Sequence, residues 1–335
     1  PADRRLLANL CEQAGDYREA KSQYLALVAR DSPDREFLAQ FVAYLLRRND
    51  LEGADRWLTT LESQPTTGLD LASLSLRAQL LKLQGRASDV PKLVEPRVRE
   101  FMQQLKDNNA GKAELLVTVV KIYKEAEQLP LAENWSRKLV ELDPALFAPL
   151  ADCLTRQGRV EEAVDLCINA AVQFDTAVPA VVLAGVLSLG KASPRDFERS
   201  EPILVQAEQK YGNNATVLRE LSNARVTQDR IQDAIRLLEK AVELSPKNVQ
   251  ALNNLATILS AQPGSRQKAH EYIDRALAIT GPRADLYDTK GTIYVYENRA
   301  SEALPVLEFA AANADADPRY QFHLAAAYKE VGQTE

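Results

Sequence analysis

Apolar positions along this chain fall at helical spacing, in stretches of about twelve to fourteen residues broken by short polar turns. In VQALNNLATILSAQ (249–262), Leu252, Leu255, Ala256 and Leu259 follow an i, i+3, i+4, i+7 pattern, the stripe of an amphipathic helix. After a break at Pro263-Gly264, KAHEYIDRALAI carries Ala269, Ile273, Ala276 and Leu277 on one face. Two such helices joined by a short turn make an antiparallel hairpin. The same pattern returns earlier, in Leu218, Leu221, Ile231, Ala234, Leu238 and Ala241, and again in Leu116, Val119, Val120, Tyr123, Ala132 and Leu139.

The hairpins recur with a period near thirty-four residues. Ala20, Ala54, Val90, Ala132, Ala163, Ser200, Ala234, Ala269 and Ala303 mark equivalent points, separated by 34, 36, 42, 31, 37, 34, 35 and 34 residues. A period of this length predicts an α-solenoid, in which each repeat packs on its neighbours. Gly or Asn in QAGDY (13–17), QGRV (157–160) and ENRA (297–300) supplies left-handed helix caps. Pro33, Pro144, Pro246 and Pro282 close second helices, which proline cannot continue.

The N-terminal repeat carries Leu7-Ala8, Cys11, Gly15-Asp16-Tyr17, Ala20, Tyr24 and Leu27. A paired position in the first helix, Gly-Asp-Tyr at the turn, an early alanine in the second helix and a closing Asp-Pro resemble the tetratricopeptide repeat. The resemblance covers essentially the whole chain: nine repeats and the first helix of a tenth at 318–332. It implies an all-α fold, a right-handed α-solenoid superhelix of antiparallel helix pairs. Residues 1–335 are expected to form one solenoid, with repeats 1–3 at 1–110, irregular repeats 4–6 at 111–213, and repeats 7–9 plus the extra helix at 214–335.

Two places depart from the pattern. The third repeat has Val90 for alanine, Pro91 and Pro96 in its second helix, and a long stretch to Asn109. The sixth inserts about four residues in KASPRDFERS (191–200). Both fit ordinary drift in a tolerant solenoid; both also fit an irregular superhelix or a longer projecting loop.

Composition narrows function. A net charge of −6 argues against nucleic acid, whose phosphates call for a basic face. No apolar run reaches the length of a membrane span, the longest candidate being 181–190. Cys11, Cys153 and Cys167 form no CxxC pair, and two of them fall on packing positions, so they are read as small buried hydrophobes. Their odd number favours a reducing compartment, but cytoplasmic and bacterial periplasmic locations both stay open. His270 and His323 sit on different repeats with no further ligands at metal-binding spacing. There is no P-loop, GxSxG, GxGxxG or HExxH. The expectation is a non-enzyme with no cofactor and no metal.

What remains is a surface. The resemblance implies that first helices line the concave face, which brings forward Thr216, Arg219, Asn223 and Thr227, then Gln250, Asn253, Thr257 and Ser260, then Asp285, Asp288, Thr292 and Tyr296, with Asn254 beside them. From this lining Arg219, Asn223, Asn253, Asn254, Thr257, Asp288, Thr292 and Tyr296 are taken as the partner-binding set. Asparagine amides both donate to and accept from a peptide backbone, so Asn223 and Asn253 are expected to hold a peptide while Arg219 and Asp288 select its charge. A merely solvated polar face fits the same residues.

The carboxylate-clamp subfamily matches at Arg219, Asn223 and Asn253, but Asp288 and Thr292 replace its last cations, so capture of an acidic chain terminus is not expected. The asparagine ladder of O-linked N-acetylglucosamine transferases is matched only at Asn254. In the sixth repeat Val178, Val181, Gly185 and Leu189 put apolar surface where a groove lining is expected. This is either an exposed partner site or an area buried by a tighter turn of the superhelix.

The functional expectation is therefore a protein–protein interaction scaffold that binds a peptide or partner segment in its groove. Two alternatives are the scaffold of a bacterial envelope export or polysaccharide-secretion assembly, and the substrate-recruiting arm of an enzyme whose catalytic module lies elsewhere. The sequence opens on Pro1 rather than Met and stops within a repeat at Glu335. It is thus expected to be a segment of a longer protein, and self-association through the C-terminal end is compatible with its last, unpaired helix.

Overall fold

A computed structural model describes residues 2–13, 15–29, 33–66, 68–313 and 318–332. Pro1, Glu335 and Ala14 of the first expected turn lie outside these. The described residues form nineteen α-helices and no strand. They divide into two compact units, Pro1–Arg159 and Val160–Glu335.

The N-terminal unit contains α1 (Ala2–Gln13), α2 (Tyr17–Val28), α3 (Arg35–Arg47), α4 (Leu51–Ser63), α5 (Leu71–Leu83), α6 (Val90–Leu105), α7 (Asn109–Glu125), α8 (Leu129–Leu142) and α9 (Ala148–Arg156). In the C-terminal unit are α10 (Val160–Gln173), α11 (Val178–Leu189), α12 (Pro194–Tyr211), α13 (Ala215–Thr227) and α14 (Ile231–Leu244). It continues with α15 (Val249–Ser260), α16 (Arg266–Thr280), α17 (Ala284–Tyr296), α18 (Ala300–Ala312) and α19 (Pro318–Glu330). The odd-numbered helices are the first helices of successive repeats and the even-numbered ones the second. Nine and a half helix pairs match the repeat number read from the sequence.

All nine marker residues lie in second helices, and every one is fully buried. Their small size lets a second helix approach the first helices on both sides of it, and close-packed interiors leave no room for a longer side chain there. Cys153 and Cys167 are also fully buried; burial pushes the Cys167 thiol up to about 12, which keeps it protonated and unreactive.

Within most hairpins, those of α11–α12 and α15–α16 excepted, the turn is a left-handed cap. Gly15, Gly85, Gly158 and Gly332 have positive φ, and so do Asn49, Glu127, Asp229 and Asn298. The following amide then closes back over the helix end: Asp50 N–H on Leu45 O, Arg159 N–H on Leu154 O and Arg230 N–H on Arg225 O are each 2.9 Å, the Schellman arrangement.

Both irregular repeats are resolved by lengthening a helix. Pro91 sits in the first turn of α6, where a missing N–H costs nothing, and α6 continues through Pro96 to Leu105. In the sixth repeat no long loop projects. Ser193 and Asp196 form a reciprocal capping box that starts α12 at Pro194, so most of the insertion is helical.

Layering follows from which helices touch. In the C-terminal unit, α11 packs on α13, α15 on α17, and α17 on α19; the N-terminal unit shows the same in α3 with α5 and α5 with α7. Among the described residues, successive second helices pack closely only at α10 and α12. Where first helices pack on one another in this way they form the inner layer of the stack, with the second helices outside.

Candidate functional site

The inner face of the C-terminal unit is built from α11, α13, α15, α17 and α19. Each of α13 and α15 is started by an asparagine, Asn214 or Asn248, whose side chain accepts from amides of the first turn. These N-caps set where the helices begin, and so place Asn223 level with Thr257, and Arg219 level with Asn253, in the face.

On α13 the Arg219 guanidinium is paired with Glu220 at 2.5 Å, and both side chains are largely buried. The other oxygen of Glu220 accepts from Asn223 Nδ2 at 3.2 Å. Asn223 Oδ1 in turn accepts from Asn254 Nδ2, also at 3.2 Å, so a polar row crosses from α13 to α15. Farther along, Thr257 donates to Asn253 O at 2.9 Å and lies 3.4 Å from the Thr289 hydroxyl of α17. Asp288 Oδ1 of α17 meets His323 Nδ1 of α19 at 2.7 Å. Four successive first helices are therefore cross-linked by side chains along this face.

Within the row, Asn253 Oδ1 and Thr292 Oγ1 are buried and have no hydrogen-bond partner. Unpaired buried polar atoms are uncommon because each forfeits its hydration. Tyr296 is half exposed and stands apart from the row, its ring facing the Arg266 guanidinium 5.8 Å from the centroid.

Of the residues expected to bind a partner, Arg219, Asn223 and Asn254 are thus one connected group, with Thr257 and Asp288 each joined to the next helix. Glu220, Thr289 and His323 are their partners and were not anticipated. Glu220 is one residue from Arg219, so helical spacing gives no signal for that pair, but it stands three before Asn223, a spacing that could have exposed their contact. His323 lies 35 positions from Asp288, close to one repeat period. That spacing could have exposed the pair.

Chemically, between α13 and α15, this is a neutral hydrogen-bonding surface. Arg219 is offset by Glu220, and α15 carries no charged residue at all. Among the described residues no three His, Cys, Asp or Glu side chains converge as a metal site, and no helix is long and apolar enough to cross a membrane.

A tetratricopeptide-repeat family model matches residues 237–274, the end of α14 through most of α16. That segment is similar to a tetratricopeptide repeat. The chain has the fold of yeast Tom70, at 13% identity and a TM-score of 0.51, with 99% of this chain and 96% of that one covered. It is equally similar to a tetratricopeptide repeat protein from Parabacteroides merdae, at 12% identity and a TM-score of 0.52, with 78% of this chain and 99% of that one covered. At such identities the likeness establishes the fold. No curated protein matches the chain by sequence. The repeat match and the likeness of fold together make the described chain an α-solenoid of helix pairs.

Proposed function

We propose that the inner face of the C-terminal unit binds an extended peptide segment of a partner protein, with Asn223 and Asn253 hydrogen-bonding its backbone. The observation that supports this reading is the polar row itself: Asn223 and Asn254 linked across α13 and α15, with the unpaired Asn253 Oδ1 and Thr292 Oγ1 beside them. An extended peptide offers free N–H and C=O groups at every residue, and an amide that turns about its last torsion can satisfy one of each. The same geometry argues against strong charge selection, since Arg219 is engaged by Glu220 and Asp288 by His323.

The test uses synthetic peptides enriched from a random display library on the wild-type chain. Asn223→Ala/Asn253→Ala is expected to weaken their binding about tenfold, the loss of roughly two neutral hydrogen bonds, with no change in far-UV circular dichroism. Unchanged affinity would remove these residues from the site.

A further inference from the structure

The inner face changes character at α11, and Gly185 is the reason to take the change as functional. Val178, Val181, Val182, Gly185 and Leu189 follow i, i+3, i+4, i+7, i+11 spacing, which puts them on one face of the helix. Val178 is 48% and Leu189 77% exposed, while Val181 and Val182 are half-buried. Of the two fates open to this stripe, the structure shows exposure at its ends, Val178 and Leu189, with its middle partly covered. Gly185 sits in the middle of the stripe, and a Cβ built on it would meet no atom within 4 Å.

Glycine inside a helix costs stability relative to alanine, so its presence calls for a return elsewhere. The other glycines within described α-helices have one in packing: a Cβ on Gly53, Gly111 or Gly291 would clash with the side chains of Asp50, Leu105 or Leu307. Gly185 has no such neighbour and no left-handed φ. It opens a dimple flanked by aliphatic side chains, at the place in the repeat where the next three first helices carry Asn223, Thr257 and Thr292.

Charge says what fits there. Neither α11 nor α15 contains a charged residue; between them, Arg219 is paired with Glu220 and Arg225 with Glu201. In a chain with 26% charged residues, an inner face without free charge matches an uncharged ligand segment. A bound helix would keep its own backbone groups paired and leave the amide row unused, whereas an extended segment would use both features.

The geometry points to a two-part recognition site: the Gly185 dimple takes one aliphatic or aromatic side chain of an extended, uncharged peptide from a partner protein, and the asparagine row of α13 and α15 takes the peptide backbone beside it. This rests on the peptide-groove reading above and adds the anchor that gives it side-chain specificity. A buried apolar anchor next to polar contacts is a usual source of binding energy.

The experiment pans a random dodecapeptide library on the full chain and measures the enriched peptides by fluorescence anisotropy against wild type, Gly185→Ala and Gly185→Leu. The expected peptides share one aliphatic or aromatic position and few charges. They bind Gly185→Leu at least tenfold more weakly than wild type, with Gly185→Ala between the two although its melting temperature rises. Replacing the shared peptide residue by alanine should then cost nothing further on Gly185→Leu, the signature of a direct pair. Full affinity for Gly185→Leu, with loss on Asn223→Ala/Asn253→Ala, would overturn the anchor and leave the groove. Full affinity for both variants, or no enriched peptide, would overturn the groove and the anchor together. Self-association of the wild type that Gly185→Leu abolishes, without loss of peptide binding, would make a second copy the occupant and equally overturn the proposal.

Discussion

Glu201→Ala is expected to destabilise the C-terminal unit by about 3 kcal/mol, near the lower end of what stranding a buried charge costs. The charge is that of Arg225, whose side chain is only 2% exposed and lies 2.5 Å from Glu201. Glu201 leads away from the buried site, since its other oxygen meets the half-exposed Arg230 at 2.8 Å. Gln228 also accepts from Arg225, but a neutral amide cannot offset a desolvated cation. The double variant Glu201→Ala/Arg225→Met removes the charge along with its partner and should lie within about 1 kcal/mol of wild type. Urea unfolding followed by far-UV circular dichroism measures both. A single variant as stable as wild type would mean that Gln228 alone sustains Arg225.

The same carboxylate makes stability depend on pH. Burial raises the affinity of Glu201 for a proton, but the hydrogen bonds from Arg225 and Arg230 outweigh it and hold the group below its ordinary value. Its contribution is therefore complete above the unfolded carboxylate range, near pH ~4.3, and is lost as pH falls through the lower folded value. Glu201→Ala should flatten this acid-side loss. Glu133 repeats the arrangement in the N-terminal unit, joined to Gln157 and Arg159, as Glu201 is to Gln228 and Arg230. Each of the two glutamates directly follows a marker residue, so one register position serves as an inter-repeat staple in both units.

Phe41→Ala should cost the N-terminal unit about 3–5 kcal/mol, the range for deleting a fully buried aromatic side chain. Phe41 stacks on Tyr24 and Tyr44, with ring centroids 5.8 and 6.3 Å away, and meets the Trp57 ring edge-on at 5.5 Å. The neighbours cannot easily collapse into the gap. Tyr24 OH is held by Asn9 and Tyr44 OH by the Tyr17 carbonyl, each at 2.7 Å. Trp57 reports the loss directly, as a lower urea midpoint in tryptophan fluorescence. A cost under about 1 kcal/mol would show that the aromatic cluster repacks and is not the rigid centre of these repeats.

Most of the fold was legible because a solenoid writes its packing into a period. The marker residues predicted burial without knowledge of a single tertiary contact, since the second helix can present only small side chains at that point. Caps at Gly15, Gly158 and Asn298 were readable because Gly and Asn tolerate positive φ. Glu127 and Asp229 take the same conformation without a residue type that announces it; the surrounding helix ends impose it. The sixth-repeat insertion looked like a loop because Pro194 reads as a breaker, yet proline in a first turn starts a helix once Ser193 and Asp196 cap it.

The candidate site was less legible. The family resemblance implied a lining with Asn223, Asn253 and Thr257, but not their partners, which depend on side-chain reach. Arg219 and Asp288 looked like free charges in the sequence and are engaged in the structure by Glu220 and His323. Gly185 was visible as a position in an apolar stripe. Only the space around it distinguishes a dimple from a packing contact.

The central claim is that the inner face of first helices in the C-terminal unit holds the partner. Photo-crosslinking tests it most directly, with p-benzoylphenylalanine placed at Thr257, exposed on α15, or at Gln232, exposed on α14 of the outer layer. Peptides enriched on the wild-type chain should crosslink from position 257 and not from position 232. Crosslinking from 232 alone would place the binding surface on the second helices and contradict the account.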